Sequence, residues 1–560
     1  MILMYALQKI RNDVSSSIKC SETELSKPPE NNGDISCSAA FRLAKEQKKN
    51  PKQIADELAK LKKPAMIKDV RSAGPYVNFF IDYEKFAESV LEESLKKDYG
   101  SSKYGEKRVI TIDYSSPNIA KPFGIGHLRS TVIGQSIYNL NSFVGFKCVG
   151  INHLGDWGLQ FGKLLVAYKK WGDKKKIEKD PIRELLKIYV RFHEEAKKNP
   201  DLEGEALTEF RKLEEKDHEN TDLWRWFSKI SLRDFNKVYA MLGISFDKIE
   251  GEAHYALLDD TKKVVDEAIK KKVAITEEDG AIVIPLEKYN LTNARLFENG
   301  RTLYITRDVA AAEDRKKKYK FSKNIYVVGS EQKLHFQQLF KTIELLGYEW
   351  SRDCEHVPFG MMSFPEGGKM STREGKVIFL EDVLDKAVSK AKKIISEKNP
   401  SLKNKDKAAG VIGVGAVKFA DLSQNRIKDV EFDWDRMISF EGDTAPYLQY
   451  AYVRCLSILE KTGKQKKTFG VPSALEEEEK KMIIKLAEFP DVVMQAAVHY
   501  EPHVLANYLL SLVHDYSAFY EKCKVIGSSN EAFRLKIVES TANVLKIGLG
   551  LLGIGVIDEM

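Results

Sequence analysis

Cysteine is scarce: the 560 residues hold six, Cys20, Cys37, Cys148, Cys354, Cys455 and Cys523. They lie far apart, with no Cys-x-x-Cys pair and no Cys/His cluster at zinc-ligand spacing, so the pattern supports neither a disulfide framework nor a structural zinc site. Long hydrophobic runs are missing as well, and nothing reaches the ~18–20 consecutive apolar residues of a membrane span. The first segment, MILMYALQKIRNDVSSS, lacks a basic leader and a small-residue cleavage site, so a cytoplasmic protein is expected. Neither fixed-period repeats nor low-complexity tracts occur. No charge of one sign dominates: 89 Lys+Arg against 82 Asp+Glu leave a net +7. Lysine clusters such as DRKKKYKFSK could track a phosphate backbone or form solvated faces, and charge alone does not choose between them.

What the chain does have is length, enough for three or four domains at roughly 100–200 residues each. Residues 1–103 read as a small α+β unit, with helices over CSAAFRLAKEQKK and NPKQIADELAKL, a strand-like AGPYVNFFID and a turn-rich KKDYGSSKYGEK as linker. Over 104–405 short apolar strands alternate with helical segments, which argues for a parallel sheet with crossover helices. The candidate strands are RVITIDYS, FKCVGIN, TLYITRD, NIYVVGS and EHVPFGMMS. A mostly helical insertion is expected at about 165–245, anchored by Trp224 and Trp226, followed by the β-rich GAIVIPLEKYNLTNARLFENGRTLYIT. From 406 to 560 apolar residues recur at helical spacing almost throughout, predicting an all-helical bundle.

An open parallel sheet binds ligands beyond the carboxyl ends of its strands. The unusual residues fall there: SPNIAKPFGIGH after VITIDYS, HLGDWG after KCVGIN, Asp308 after LYIT, EQKLH after YVVGS and GGKMSTREGK after VPFGMMS. In the first of these, Gly124 and Gly126 remove two Cβ atoms where a helix begins near His127, so a flat base or a phosphate could approach a helix N-terminus. The bland alternative is a tight strand-to-helix turn with a satisfied histidine. No Walker-type G-x-x-x-x-G-K-[ST] is present. The last cluster adds Lys369, Ser371, Arg373 and Lys376, cations suited to charge building on a leaving pyrophosphate.

Together, GIGH at 124–127 and KMSTR within the loop 367–376 resemble the paired HIGH and KMSKS signatures of class I aminoacyl-tRNA synthetases. The resemblance sharpens to the arginyl-tRNA synthetase family through SPNIAKPFGIGHLRSTVIG, NHLGDWGLQFG, TLYITRDVAAAEDR, GSEQKLHFQQLFK, FGMMSFPEGGKMSTREGKVIFLEDVL and FDWDRMISFEGDTAPYLQYAYVR. It implies a multidomain α/β protein: an N-terminal tRNA-binding domain over 1–103, a Rossmann-type catalytic domain with a helical insertion over 104–405 and an all-helical anticodon-binding domain over 406–560. It also implies a monomer that joins L-arginine to tRNA(Arg), using ATP with Mg²⁺ and no tightly bound metal or organic cofactor. No segment resembles a hydrolytic editing domain. The alternatives are a synthetase for another amino acid, a small nucleotidyltransferase, or a catalytically silent tRNA-binding paralogue.

By the same resemblance, His127, Lys121 and Lys369 carry the chemistry, and Gly124, Gly126, His127, Lys369, Met370 and Ser371 hold ATP. Ser116, Pro117, Asn118 and His127 take the amino-acid end of arginine, and Glu252, Tyr304, Asp308 and Gln332 line its side chain. The chemistry of the residues agrees, since a guanidinium calls for a carboxylate beside an aromatic face, and Tyr304 and Asp308 stand at i and i+4. Asp308 could otherwise cap the helix that follows. Tyr447, Gln449, Tyr450 and Arg454 are the candidate tRNA contacts, as aromatic planes and cations meet splayed bases, although the tyrosines could equally edge a core. Two positions depart from the class I signatures. Gly124 stands where the first histidine is expected, and Thr372 where the second lysine is. Lys121 occupies the position at which family members offset the lost lysine.

Overall fold

The computed structural model describes residues 4–29, 32–257, 260–363, 377–431, 433, 437, 439, 442–463 and 469–560. The first unit pairs four antiparallel strands, in the order Leu25–Ser26, Ile35–Cys37, Tyr76–Ile81 and Ile67–Ala73, with helices Ala6–Ile18, Ala39–Gln47, Pro51–Leu58 and Tyr83–Ser94. Its two shortest strands flank the turn-rich SKPPENNGDIS, which by sequence reads as turn alone.

At the centre lies a five-stranded parallel sheet in the order Cys354–Phe359, Lys323–Gly329, Val109–Asp113, Lys147–Leu154 and Lys248–Gly251. The chain starts in the middle strand, builds outward on one side, then returns to build on the other. The crevice where that direction reverses opens at the carboxyl end of Val109–Asp113, which is where SPNIAKPFGIGH leaves the sheet. VITID is buried over four of its five positions, as a central strand covered by helices on both faces should be.

The expected strand TLYITRD is corrected by the structure. Only Arg301–Thr302 pairs as a strand, closing a four-stranded antiparallel sheet with Ile275–Thr276, Ile282–Ile284 and Ala294–Glu298. From Tyr304 to Tyr319 the chain is helical. Ile305, Val309 and Ala312 recur at i, i+4 and i+7 and enter one buried cluster, so tertiary packing overrides the β-preference of a four-residue run. The fifth strand of the parallel sheet is Lys248–Gly251 instead.

The insertion is helical from Leu159 to Leu242, ending in the long helix His218–Leu242. Helices Leu380–Lys398 and Lys405–Leu422 pack together and lead into Ala445–Lys461, Glu477–Val498, Pro502–Lys522 and Glu531–Leu551. Among the described residues of the C-terminal region, Val430–Glu431 is a short strand that pairs in parallel with Met362–Ser363. Among the described residues, no helix is long and apolar enough to cross a membrane.

Candidate active site

The turn after Val109–Asp113 is held under strain. Ser115, Ser116 and Ala120 all have left-handed backbone, with φ of 75°, 47° and 59°, at a cost of about 1–3 kcal/mol each that the surroundings must offset. They do so through hydrogen bonds. The Ser115 amide donates to Ser130 Oγ (2.8 Å), the Ser116 amide to Asn152 Oδ1 (3.1 Å) and the Ala120 amide to Ser231 Oγ (3.1 Å). Ser116 Oγ donates to Asp113 Oδ1 (2.8 Å), while Asp113 Oδ2 takes Arg315 Nη2 at 2.6 Å. Ser115 Oγ and Tyr239 Oη lie 2.8 Å apart. Ser231 and Tyr239 belong to the last insertion helix, so the insertion props this turn directly.

The SPN and HLGDWG loops are laced together by main chain. The Gly155 amide donates to Pro117 O (3.2 Å) and the Ile119 amide to Gly155 O (3.1 Å). A Cβ on Gly155 would lie 2.4 Å from Asn118 Oδ1, so a larger residue here would push the Asn118 side chain out of its present place. Asp156 then reaches across to the next strand end, where its Oδ1 accepts the Ala253 amide (2.8 Å), and its carbonyl takes Trp224 Nε1 (2.8 Å). Burial pushes the Asp156 carboxyl up to about 6.

Gly126 opens the helix Gly126–Phe143 and is exposed, and no side chain caps that terminus. His127 follows it. Burial, with the charge of Lys121 acting in the same direction, lowers the imidazole to about 4. It is therefore neutral at physiological pH, and its Nδ1 is buried with no hydrogen-bond partner among the described residues. Gly124 pairs with Phe379 across a main-chain bridge: the Ile125 amide donates to Ile378 O (3.1 Å) and the Leu380 amide to Phe123 O (3.0 Å). A Cβ at Gly124 would sit 3.1 Å from Val377 Cγ1 and 3.2 Å from Ile378 O. This close seam gives a physical account of glycine where a histidine was expected. Lys369, Met370 and Ser371 lie outside the described residues, as do Thr372, Arg373 and Lys376.

Glu252, Tyr304 and Asp308 come together. Glu252 begins the short helix Glu252–Leu257, and Tyr304 and Asp308 lie in the first two turns of Tyr304–Tyr319. Burial raises the Glu252 carboxyl to about 7; Arg307 opposes the rise, and Asp308 and Asp156 add to it. Asp308 Oδ2 is 2.6 Å from His335 Nε2. Burial pushes the Asp308 carboxyl up, but the His335 hydrogen bond and charge outweigh it and hold the group below the usual range, while His335 is raised in turn by Asp308 against its own burial. Gln332 ends the exposed turn Ser330–Gln332, three residues before His335. Asp113, Asn152, Asp156, Arg307 and His335 were not singled out in the sequence, although Arg307 adjoins Asp308 and His335 closes the EQKLH cluster.

In the C-terminal region Tyr447, Tyr450 and Arg454 share the helix Ala445–Lys461. Tyr450 is exposed, and the Arg454 guanidinium lies 3.9 Å over the Tyr520 ring. Gln449 is corrected: it is 0% exposed and its Nε2 donates to Gly555 O (2.7 Å), so it packs the bundle and cannot meet tRNA from there.

A parallel sheet of this order, with a Gly-x-Gly-His turn at its switch point and acidic groups beyond the neighbouring strand ends, has the architecture of class I tRNA synthetases. The profile described as "tRNA synthetases class I (R), catalytic domain" matches residues 89–434, "Arginyl tRNA synthetase N terminal domain" matches 3–81, and "DALR anticodon binding domain" matches 448–560. Arginine–tRNA ligase of Halothermothrix orenii is 49% identical over 93% of this chain and 92% of its own length, and that of Clostridium acetobutylicum is 45% identical over 95% of each. The solved arginyl-tRNA synthetase of Thermus thermophilus superposes with a TM-score of 0.81 at 24% identity, covering 98% of this chain and 99% of that one. The chain belongs to the arginyl-tRNA synthetase family.

Proposed function

We propose that this enzyme activates L-arginine with ATP and transfers it to tRNA(Arg), with the reaction centred between the Gly124–His127 turn and the Glu252/Tyr304/Asp308 cluster. The observation that carries the reading is the pair of carboxylates beside an aromatic ring at the carboxyl edge of the sheet, next to an uncapped helix N-terminus. A guanidinium fits the former and phosphate oxygens the latter. An arginine carboxylate oxygen attacks the α-phosphorus, the bond to the bridging oxygen breaks, and pyrophosphate leaves. A terminal ribose hydroxyl of tRNA then attacks the acyl carbon and AMP departs. No protein nucleophile is needed, so positioning and charge stabilisation do the work.

In this reading Ser116, Pro117 and Asn118 orient the α-amino and carboxyl end. Neutral His127 donates or accepts a hydrogen bond at the phosphate, Lys121 and Lys369 supply positive charge, and Gly124, Gly126, Met370 and Ser371 border the nucleotide. Gln332 adds a polar contact at the mouth. Mg²⁺ would arrive on the phosphates of ATP. Tyr447, Tyr450 and Arg454 offer a stacking face for anticodon bases. We assign residues 1–103, 104–405 and 406–560 to tRNA binding, catalysis and anticodon binding, in a monomeric cytoplasmic enzyme.

Arginine-dependent exchange of pyrophosphate into ATP, run with and without tRNA, tests the assignment. Exchange with arginine and with no other amino acid is expected. Exchange with another amino acid, or none under either condition, would refute it.

A further inference from the structure

Both carboxylates of the proposed arginine pocket already face a basic side chain of the chain itself. His335 sits on Asp308, and Arg307 sits on Glu252. The Arg307 Nε lies 3.2 Å from Glu252 Oε2, its guanidinium carbon is 4.5 Å over the Tyr304 ring, and the Arg307 and Glu252 side chains are 7% and 15% exposed. Nevertheless, among the described residues, neither of the two facing atoms makes a hydrogen bond, although both are buried. Arg307 thus neutralises Glu252 through charge while leaving the hydrogen-bonding capacity of Glu252 Oε2 unused. A buried acceptor without a donor is costly unless something arrives to fill it.

We propose that Arg307 is a positioning residue: it holds Glu252 as an oriented carboxylate beside Tyr304 and thereby sets the preference of the pocket for a guanidinium over its neutral isosteres. The inference rests on Glu252 reading arginine, as proposed above. Four titratable groups face Glu252 from the surrounding elements: Arg307 and Asp308 from Tyr304–Tyr319, Asp156 from the HLGDWG loop and His335 from the helix Lys333–Leu345. Tyr304 feels the charge of Glu252 in turn, and Glu214 of the insertion feels that of Arg307. Burial and two acids favour the protonated form of Glu252, and Arg307 is the foremost opposing group. Without it, Glu252 would present a neutral carboxyl at pH 7, able to donate as well as accept. Such a group receives the ureido end of citrulline nearly as well as a guanidinium, whereas a carboxylate only accepts.

The test is the pH dependence of the arginine KM in pyrophosphate exchange for wild type, R307Q, R307K and E252Q, with citrulline as competing ligand. In the wild type, KM should rise as pH falls below about 7, since protonation removes the form that binds arginine. In R307Q the inflection should move up by a unit or more, the KM at pH 7 should rise about tenfold, and the arginine-over-citrulline preference should fall by a similar factor. The kcat at saturating arginine should change far less, and R307K should restore the wild-type inflection. A KM increase in R307Q with an unmoved inflection would mark a merely structural residue and overturn the proposal. An unchanged KM in E252Q would instead overturn the role of Glu252 itself. Should R307Q fail to fold, R307M keeps the packed stem and is read by the same criteria. Calorimetry on the wild-type enzyme at pH 6.5, in buffers of different ionisation enthalpy, should show proton release on arginine binding; no release would also overturn the proposal.

Discussion

Asp308→Ala abolishes arginine use: arginine-dependent pyrophosphate exchange is expected to fall about 10²–10⁴-fold in kcat/KM, the cost of losing one partner of a desolvated charge pair at ~3–5 kcal/mol. The magnitude follows from the environment of the group. Asp308 is held ionised by His335 at 2.6 Å, so it stands ready as an acceptor. Asp308→Asn keeps the shape but loses the charge, and should recover little. Binding of tRNA, followed by filter retention without arginine, should be unchanged in both variants, because the candidate tRNA face lies on a different helix. Equal losses in tRNA binding and in exchange would refute a pocket-specific role.

Arg129→Met should be the most destabilising single change outside the pocket. Arg129 follows the signature turn by two residues and is 1% exposed. Its Nε donates to Asp421 Oδ1 (2.7 Å), its Nη1 to the carbonyls of Gly360 (2.7 Å) and Lys428 (2.8 Å), and its Nη2 to Arg426 O (3.2 Å). One fork thus ties the signature helix to the end of the strand Cys354–Phe359, to the helix Lys405–Leu422 and to the segment that follows it. Removing it strands a fully buried carboxylate and three carbonyls, at about 3–5 kcal/mol. A fall in the thermal midpoint, absent for an exposed control such as Arg225→Met, is the measurement. Arg129→Lys should rescue little, as a point charge cannot reproduce four directed contacts. R129M/D421L, which removes both charges, should regain much of the loss. A midpoint for R129M within the range of the control would sink the argument.

Four of the five parallel strands were legible because Val, Ile and Tyr cluster in runs that only a covered sheet would need. The fifth was not: Lys248, Ile249 and Glu250 are exposed or half-buried at the sheet edge, so KIEG carries no apolar signature. LYIT misled in the opposite direction, its β-branched residues serving a helix whose buried stripe becomes visible only when Val309 and Ala312 are counted with Ile305. Within the site, the residue types that read a guanidinium were legible one by one, as was their convergence on one edge. Their partners were not, since Arg307 meets Glu252 across 55 positions and His335 meets Asp308 across 27, and pairing at such separation leaves no periodic trace. Gln449 shows the complementary failure: beside Tyr447 and Tyr450 it reads as polar surface, and only the packing against Gly555 reveals otherwise.

The seam between Phe123–Ile125 and Ile378–Leu380 has a consequence for how freely these segments can vary. It is stitched by amides and carbonyls, which every residue but proline provides in full. Apolar exchanges at Ile378 and Phe379, which pack against the core, therefore leave the stitch in place. Proline at Ile125 or Leu380 would delete a donor and unpick it, releasing the stem of the second signature from the first. A saturation library scored for growth should tolerate apolar replacements at 378 and 379, with proline selectively depleted at 125 and 380.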